Sequence, residues 1–341
     1  VILVADKILL AHGDGGKLTH DLIEAIFVKH FYSDTKDTSN EALPDAFVTD
    51  NEQGRIAFTT DTFVVNPLFF KGGDIGKIAI AGTVNDLAVV GAIPKYISCG
   101  FIIEEGFSID ELEQIVASMA VTAKAADVRI VTGDTKVVEK HKGDGVFINT
   151  SGIGFVPEDS KLSYRSITKG DAVLINGNIG EHGMAIMSER SGLNFNSPVV
   201  SDCQALNKFI STLVQHVPEV RFMRDPTRGG VATTLKEIAV DTGLNIVIEE
   251  TSLPVSDELM GAADLLGLDP LYLANEGKVL VFVPNDKVEY ALSIMRSMSE
   301  GANSMQIATV TEGHGQVFLQ TAFGGKKIID LLAGAPLPRI C

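Results

Sequence analysis

Cysteine is scarce in this sequence: three residues of 341, at Cys99, Cys203 and Cys341. Three thiols do not make a disulfide framework, and Cys99 and Cys203 sit in apolar or helical patterns, so no structural disulfide is expected. A reducing, cytoplasmic setting follows as the expectation. Positive charge is also in short supply, with 28 Lys and Arg against 44 Asp and Glu and a formal charge of −16. Such a chain repels an extended phosphate backbone, which argues against nucleic acid as a partner. No apolar run reaches the roughly eighteen residues of a membrane span, and residues 1–10 lack the basic n-region and small-residue cleavage site of a secretory signal. Internal repeats and low-complexity tracts are absent too. What is present, 45% hydrophobic residues, suits a globular chain with two substantial cores.

Periodicity gives a coarse organisation. Residues 17–31 have helical spacing after the glycine-rich run His12-Gly13-Asp14-Gly15-Gly16, while 33–53 is polar, acidic and aperiodic and reads as a surface insertion. A strand pair is expected over 56–65, interrupted at Thr60 and Asp61, then an apolar helix over 77–90 and a strand over 95–103. Ser108 and Glu111 form a capping box before an amphipathic helix. Strands follow at 128–132, breaking at Gly133 and Asp134, and at 146–154. The polar stretch 157–170 marks a boundary between domains.

In the second half a strand at 172–176 leads into a loop at 177–183. A helix is expected from Ser201, with a capping box through Gln204. After the polar break 224–230 come a helix at 231–240, strands at 245–249 and 279–284, a helix at 287–298, and strands at 307–310 and 317–320. The expected domains are 1–157 and 168–333, with a tail over 334–341.

Four aspartates interrupt apolar segments: Asp61, Asp86 after Asn85, Asp134 in Gly133-Asp134-Thr135, and Asp225 in Arg224-Asp225-Pro226-Thr227-Arg228-Gly229-Gly230. Carboxylate oxygens are hard ligands, and Mg²⁺ takes one or several of them together with phosphate oxygens of a nucleotide. Each Asp taken singly has a blander role as a turn or N-cap residue. The runs 12–16 and 229–230 each open a helix, where free N–H groups and the dipole receive an anion. Neither matches the Walker pattern, and Gly72-Gly73-Asp74-Ile75-Gly76-Lys77 misses it at its first glycine and its hydroxyl residue, which disfavours a P-loop enzyme. Lys136 and Glu276 lie beside these motifs; spacing alone reads them as a solvated charge and a turn residue.

The sequence ends Pro336-Leu337-Pro338-Arg339-Ile340-Cys341. Two prolines keep this stretch out of a helix, and an extended arm from Gly334 carries the thiol on the order of 25 Å. Prenylation is disfavoured, since that signal places cysteine four residues from the end. Residues alone thus indicate an α/β protein that uses Mg-nucleotide and presents a mobile thiol.

In combination these motifs are more specific. His12-Gly-Asp-Gly-Gly, Asp61 with Pro67-Leu-Phe-Phe70, Gly82-Thr-Val-Asn-Asp86, Val131-Thr-Gly-Asp-Thr-Lys-Val137, Arg224-Asp-Pro-Thr-Arg-Gly-Gly230, Ala274-Asn-Glu-Gly-Lys278 and Pro338-Arg-Ile-Cys341 occur in one order. The whole chain resembles the HypE family of hydrogenase maturation carbamoyl dehydratases. That family belongs to the superfamily of aminoimidazole ribonucleotide synthetase, selenophosphate synthetase and thiamine-monophosphate kinase.

The resemblance implies an α/β (α+β) two-domain synthetase-like fold. An N-terminal domain completes a barrel across a homodimer, and ATP lies in the cleft before a C-terminal α/β domain. It implies ATP and Mg²⁺ as cofactors, with Asp61, Asp86, Asp134 and Asp225 as metal ligands. His12, Gly15, Gly16, Asn85, Thr135, Thr227, Arg228, Gly229 and Gly230 would hold the nucleotide. Cys341, Lys136 and Glu276 would be catalytic; His182 also matches the pattern, without a clear role. The implied reaction begins with carbamoylation of Cys341 by the carbamoyltransferase HypF. ATP-dependent dehydration to an S-cyanate follows, and cyanide passes to iron on HypC and HypD during nickel-iron hydrogenase maturation.

Two rivals are separable. Selenophosphate synthetase carries a reactive Cys or selenocysteine in an N-terminal glycine-rich region, and residues 1–98 here contain no cysteine. A nucleotide-gated binding module whose thiol only carries a metal or tethers a partner would not turn ATP over.

Overall fold

The computed structural model describes residues 6–12, 17–31, 54–190, 199–331 and Ile340. The glycine run 13–16, the expected insertion at 33–53 and Cys341 lie outside the described residues. The expected helix at 17–31 forms as α1 (Lys17–Leu22), a π-helical stretch (Ile23–Val28) and α2 (Lys29–Phe31), burying Leu22, Ile26 and Phe27.

Next come β1 (Arg55–Phe63), the short strands β2 (Phe69–Phe70) and β3 (Gly73–Asp74), α3 (Ile75–Val89), β4 (Ile93–Glu104), α4 (Ile109–Ala126), β5 (Arg129–Val138) and β6 (Val146–Val156). They build a four-stranded sheet in the order β1-β6-β4-β5, antiparallel except for the parallel pair β4 and β5 that α4 connects.

Helix ends follow local chemistry. Ser108 caps α4 by accepting from the Glu111 N–H at 3.4 Å, and Asp127 closes it in the left-handed region at φ 58°. The run that resembled a phosphate loop is also a cap. Asp74 accepts from the N–H groups of Gly76 and Lys77 at 2.7 and 3.0 Å and starts α3. Two expected breaks do not occur: β1 runs through Thr60 and Asp61, paired with Ser151 and Thr150, and β5 continues past Gly133 and Asp134. Polar side chains on a strand leave its backbone ladder intact, so polarity was a poor signal of a turn there.

The second half contains β7 (Ala172–Ile175), α5 (Glu181–Arg190), α6 (Asn207–His216), β8 (Phe222–Arg224), α7 (Gly230–Thr242), β9 (Asn245–Glu249), α8 (Asp257–Leu266), β10 (Leu280–Val283), α9 (Val288–Arg296), β11 (Met305–Thr311), β12 (Val317–Gln320) and β13 (Lys326–Ile329). Its sheet has seven strands in the order β13-β12-β9-β11-β7-β10-β8. Val173, Ile175 and Phe282 join one hydrophobic cluster with Leu235 of α7, while Leu174 and Val281 join another with Phe209 of α6 and Met295 of α9. Both sheet faces are therefore covered at its centre, which explains why β7 and β10 are continuous apolar runs.

Helices α5 and α8 were not foreseen, and the loop expected at 177–183 passes into α5 at Glu181. The helix expected from Ser201 begins instead at Asn207, capped by Leu206 without a side-chain bond. Ser201 and Gln204 are occupied elsewhere, Ser201 by His182 and Gln204 through its backbone by Asn85 and Glu276. Helix α3 packs against β1, β6 and α4 on the first side and against α6 and β8 of the second half. Sandwiched in this way, it is buried around nearly its whole circumference. No helix among the described residues is long and apolar enough to cross a membrane.

Candidate active site

The wall between the two halves carries a cleft of about 160 Å³. Strand β1 contributes Asp61, Thr62 and Phe63, and α3 contributes Gly82 and Asp86. The loop after β8 supplies Asp225, Thr227 and Arg228, and the loop before β10 supplies Glu276. A Cβ at Gly82 would sit 3.1 Å from the Phe63 ring, so glycine lets α3 approach β1 closely there.

Four carboxylates line this space, Glu276 and the aspartates Asp61, Asp86 and Asp225. Thr59 donates its hydroxyl to Asp86 Oδ2 at 2.7 Å. Burial, with the charge and hydrogen bond of Asp86, pushes the Asp61 pKa up to about 6 against the pull of Arg228. Burial and the charges of Asp86 and Asp61 push Asp225 up to about 7. Asp86 also occupies the last turn of α3, where the helix dipole disfavours an anion. The whole arrangement calls for positive charge.

Glu276 is 3% exposed, and its backbone is clamped: the N–H groups of Glu276 and Gly277 donate to Asp202 at 3.1 Å each. Asp202 in turn pairs with buried Lys278 at 3.1 Å, and Lys278 reaches Glu181 at 3.2 Å. Burial alone would lower the Lys278 pKa, but these two carboxylates reverse the shift and keep it charged. Asn275 ties the same loop to Pro226 O at 2.8 Å and accepts from the Gly180 N–H at 2.7 Å.

Other expected residues stand differently. Asn85 is buried and bonded to the second half, accepting from Leu206 N at 2.7 Å and donating to Gln204 O at 3.1 Å. Gly229 and Gly230 open α7 with φ of 80° and 62°, and a Cβ at Gly230 would lie 2.5 Å from Leu271 O. His12 is buried, its pKa lowered by burial, and its Nδ1 accepts from Leu9 N at 3.0 Å. Gly15, Gly16 and Cys341 lie outside the described residues.

Asp134, Thr135 and Lys136 stand on β5, away from the cleft. Asp134 and Lys136 are exposed and 3.4 Å apart. Register aligns Thr62, Asn149, Gly100 and Asp134, so Asp134 lies three strands from β1, roughly 14 Å at the usual spacing of about 4.8 Å. Alternation also sets Asp134 and Lys136 on the sheet face opposite Asp61.

His182, at the start of α5, is fully buried. Its Nε2 lies 2.6 Å from the Ile340 carbonyl oxygen and its Nδ1 lies 2.8 Å from Ser201 Oγ. Sequence reasoning missed Asp202, Lys278 and Thr59. Their only signal was a charged or hydroxyl residue beside a motif, and Ser201-Asp202 was read as a helix start.

Comparisons with known proteins agree with this architecture. The models "AIR synthase related protein, N-terminal domain" and "AIR synthase related protein, C-terminal domain" match residues 44–156 and 168–320. The chain is 48% identical over 338 residues to carbamoyl dehydratase HypE of Rhodobacter capsulatus, covering 98% of each. A crystal structure of hydrogenase maturation protein HypE in complex with ATP superposes with a TM-score of 0.92 at 45% identity, covering 98% of this chain and 99% of that one. A chain of a HypE-HypF complex superposes with a TM-score of 0.79 at 46% identity, covering 91% and 99%. With both AIR synthase related domains in order and near-complete alignment to these relatives, the chain belongs to the HypE carbamoyl dehydratase family.

Proposed function

We propose that this chain dehydrates a carbamoyl group carried on its own Cys341 to an S-cyanate at the expense of ATP, supplying cyanide to the iron of a nickel-iron hydrogenase. The carrying observation is the docking of Ile340, neighbour of Cys341, on His182. The next residue, Gly183, donates to Ala274 O at 3.0 Å, two positions from Glu276. The chain's own tail thereby approaches the loop that lines the carboxylate cleft. Relatives of known structure bind ATP and HypF, which supports ATP as the phosphoryl donor and HypF as the source of the carbamoyl group. HypC and HypD, holding the iron, would receive the cyano group.

An amide oxygen leaves poorly unless it is esterified. In the proposed reaction that oxygen attacks the γ-phosphorus and ADP departs. The amide nitrogen gives up both protons, one to Glu276 and the other to the departing phosphate. The C–O bond then breaks as C≡N forms, and the oxygen leaves as phosphate. Asp202 holds the Glu276 backbone for this task, Asn275 anchors the same loop to Pro226, and Thr227 and Arg228 line the cleft beside it.

The residues present suit Mg²⁺. Asp61, Asp86 and Asp225 set hard oxygens around one cleft, where phosphate oxygens and water would complete the shell of a cation. Asp61, Asp86 and Asp225 would hold it, and it would neutralise the transferring phosphoryl group.

Asp134 and Lys136 enter this scheme through a second copy. Strands β1 and β5 are the two edges of the four-stranded sheet. A copy whose β5 lies along β1 closes a barrel and brings its Asp134 and Lys136 one strand from Asp61 instead of three. The proposed reaction is tested with Glu276→Gln: carbamoylated variant should bind Mg-ATP normally yet lose at least about a hundredfold in S-cyanate formation, the scale of a missing general base. An unimpaired rate would remove Glu276 as the base.

A further inference from the structure

We propose that His182 is the positioning residue that receives the C-terminal tail, gripping it by the Ile340 carbonyl so that the adjoining thiol is held for dehydration. The inference rests on the dehydratase reading for its purpose, and on the following geometry for its existence.

A carbonyl oxygen only accepts, so His182 Nε2 must carry the proton toward Ile340 at 2.6 Å. Its Nδ1 is then an acceptor for the Ser201 hydroxyl at 2.8 Å, and Ser201 Oγ itself accepts from Cys203 N at 3.2 Å. This relay fixes one tautomer of the neutral ring. Burial lowers the His182 pKa, with the Ile340 carbonyl and Asp202 pulling the other way, which accords with that neutral form. The Phe70 ring stands edge-on to the imidazole at 5.3 Å and confines its plane.

Ile340 is itself 3% exposed and joins the hydrophobic cluster that includes Met184, Val199, Leu273 and Ala274. Apolar burial and one directed hydrogen bond thus act on the same residue. The bond spans 158 positions of sequence, so α5 has no need of it for its own ladder. Withdrawal of the tail leaves a buried N–H without its partner, a state that favours return. Consecutive Cα atoms are about 3.8 Å apart, so gripping Ile340 narrows the reach of the thiol that follows. Ser201 also neighbours Asp202, which clamps Glu276, so the tail grip and the proposed base share one short segment.

The test uses the full chain and a bulky maleimide, which reads Cys341 because Cys99 and Cys203 are buried. His182→Ala should raise the alkylation rate in the presence of Mg-ATP, and lower the rate of water loss from carbamoylated protein, each by roughly tenfold, the effect of one lost buried hydrogen bond. ATP affinity should stay near that of the parent, and the melting temperature should fall by several degrees from the emptied buried site. His182→Gln, whose amide donates like Nε2 and also accepts, should restore most of both rates. Unchanged alkylation in His182→Ala overturns the proposal, and so does loss of ATP binding in step with the rate. Should parent protein lose no water at all, the dehydratase reading falls, while the alkylation contrast still decides the grip.

Discussion

Asp61, Asp86 and Asp225 crowd three carboxylates onto one cleft, and that crowding has a sign in pH. Asp61 and Asp225 are pushed from the ordinary carboxylate value to about 6 and about 7. The folded ligand-free protein therefore holds protons that the unfolded chain has released above about pH 4, and stability falls as pH rises from there toward 7. Cation binding needs the deprotonated forms, so it strengthens over the same interval. Thermal unfolding should show a larger upward shift with Mg-ATP at pH 8 than at pH 6. Asp225→Asn should raise the ligand-free melting temperature at pH 8 by roughly 2–4 °C, while nearly abolishing the shift with Mg-ATP. A variant that keeps the full Mg-ATP shift would remove Asp225 from the site. The acidic residues were legible in the sequence because each interrupts an apolar segment. The clamp behind Glu276 was not, since Asp202 and Lys278 meet only through the fold.

Elements show where local chemistry decides and where it misleads. Asp74 lies in a glycine-rich run with a phosphate-loop look, yet its carboxylate satisfies two N–H groups at the start of α3. Asp74→Ala should cost about 1–2 kcal/mol of stability in denaturant unfolding and leave ATP affinity of the folded protein unchanged. A fall in affinity without a fall in stability would return a phosphate role to that run. The expected breaks at Thr60-Asp61 and Gly133-Asp134 failed because strand pairing is blind to side-chain polarity, and functional strands carry polar residues. The Ser201 to Gln204 pattern failed for the reverse reason. A hydroxyl suited to capping is spent on His182, and the helix waits until Asn207.

At the scale of the molecule, the alternation of elements made the mixed α/β architecture legible, since both sheets follow from apolar runs and their periods. The open face of the four-stranded sheet was not legible. It exposes Ile56 at 71% and Phe58 at 67% on edge strand β1, an apolar surface that a lone chain leaves in water. The proposed barrel across a homodimer covers it and sets Asp134 and Lys136 of the second copy alongside β1. Phe58→Asp should convert the protein to monomers by sedimentation and suppress ATP turnover while far-ultraviolet circular dichroism stays unchanged. A fully active monomer would contradict the shared site.

The proposed chemistry happens at Cys341, and intact mass reads it directly. Protein carrying one carbamoyl group is given Mg²⁺ and ATP, and its mass is followed alongside ADP release. The carbamoylated chain should lose the mass of one water for each ADP formed. ATP hydrolysed with the carbamoyl mass unchanged would contradict it.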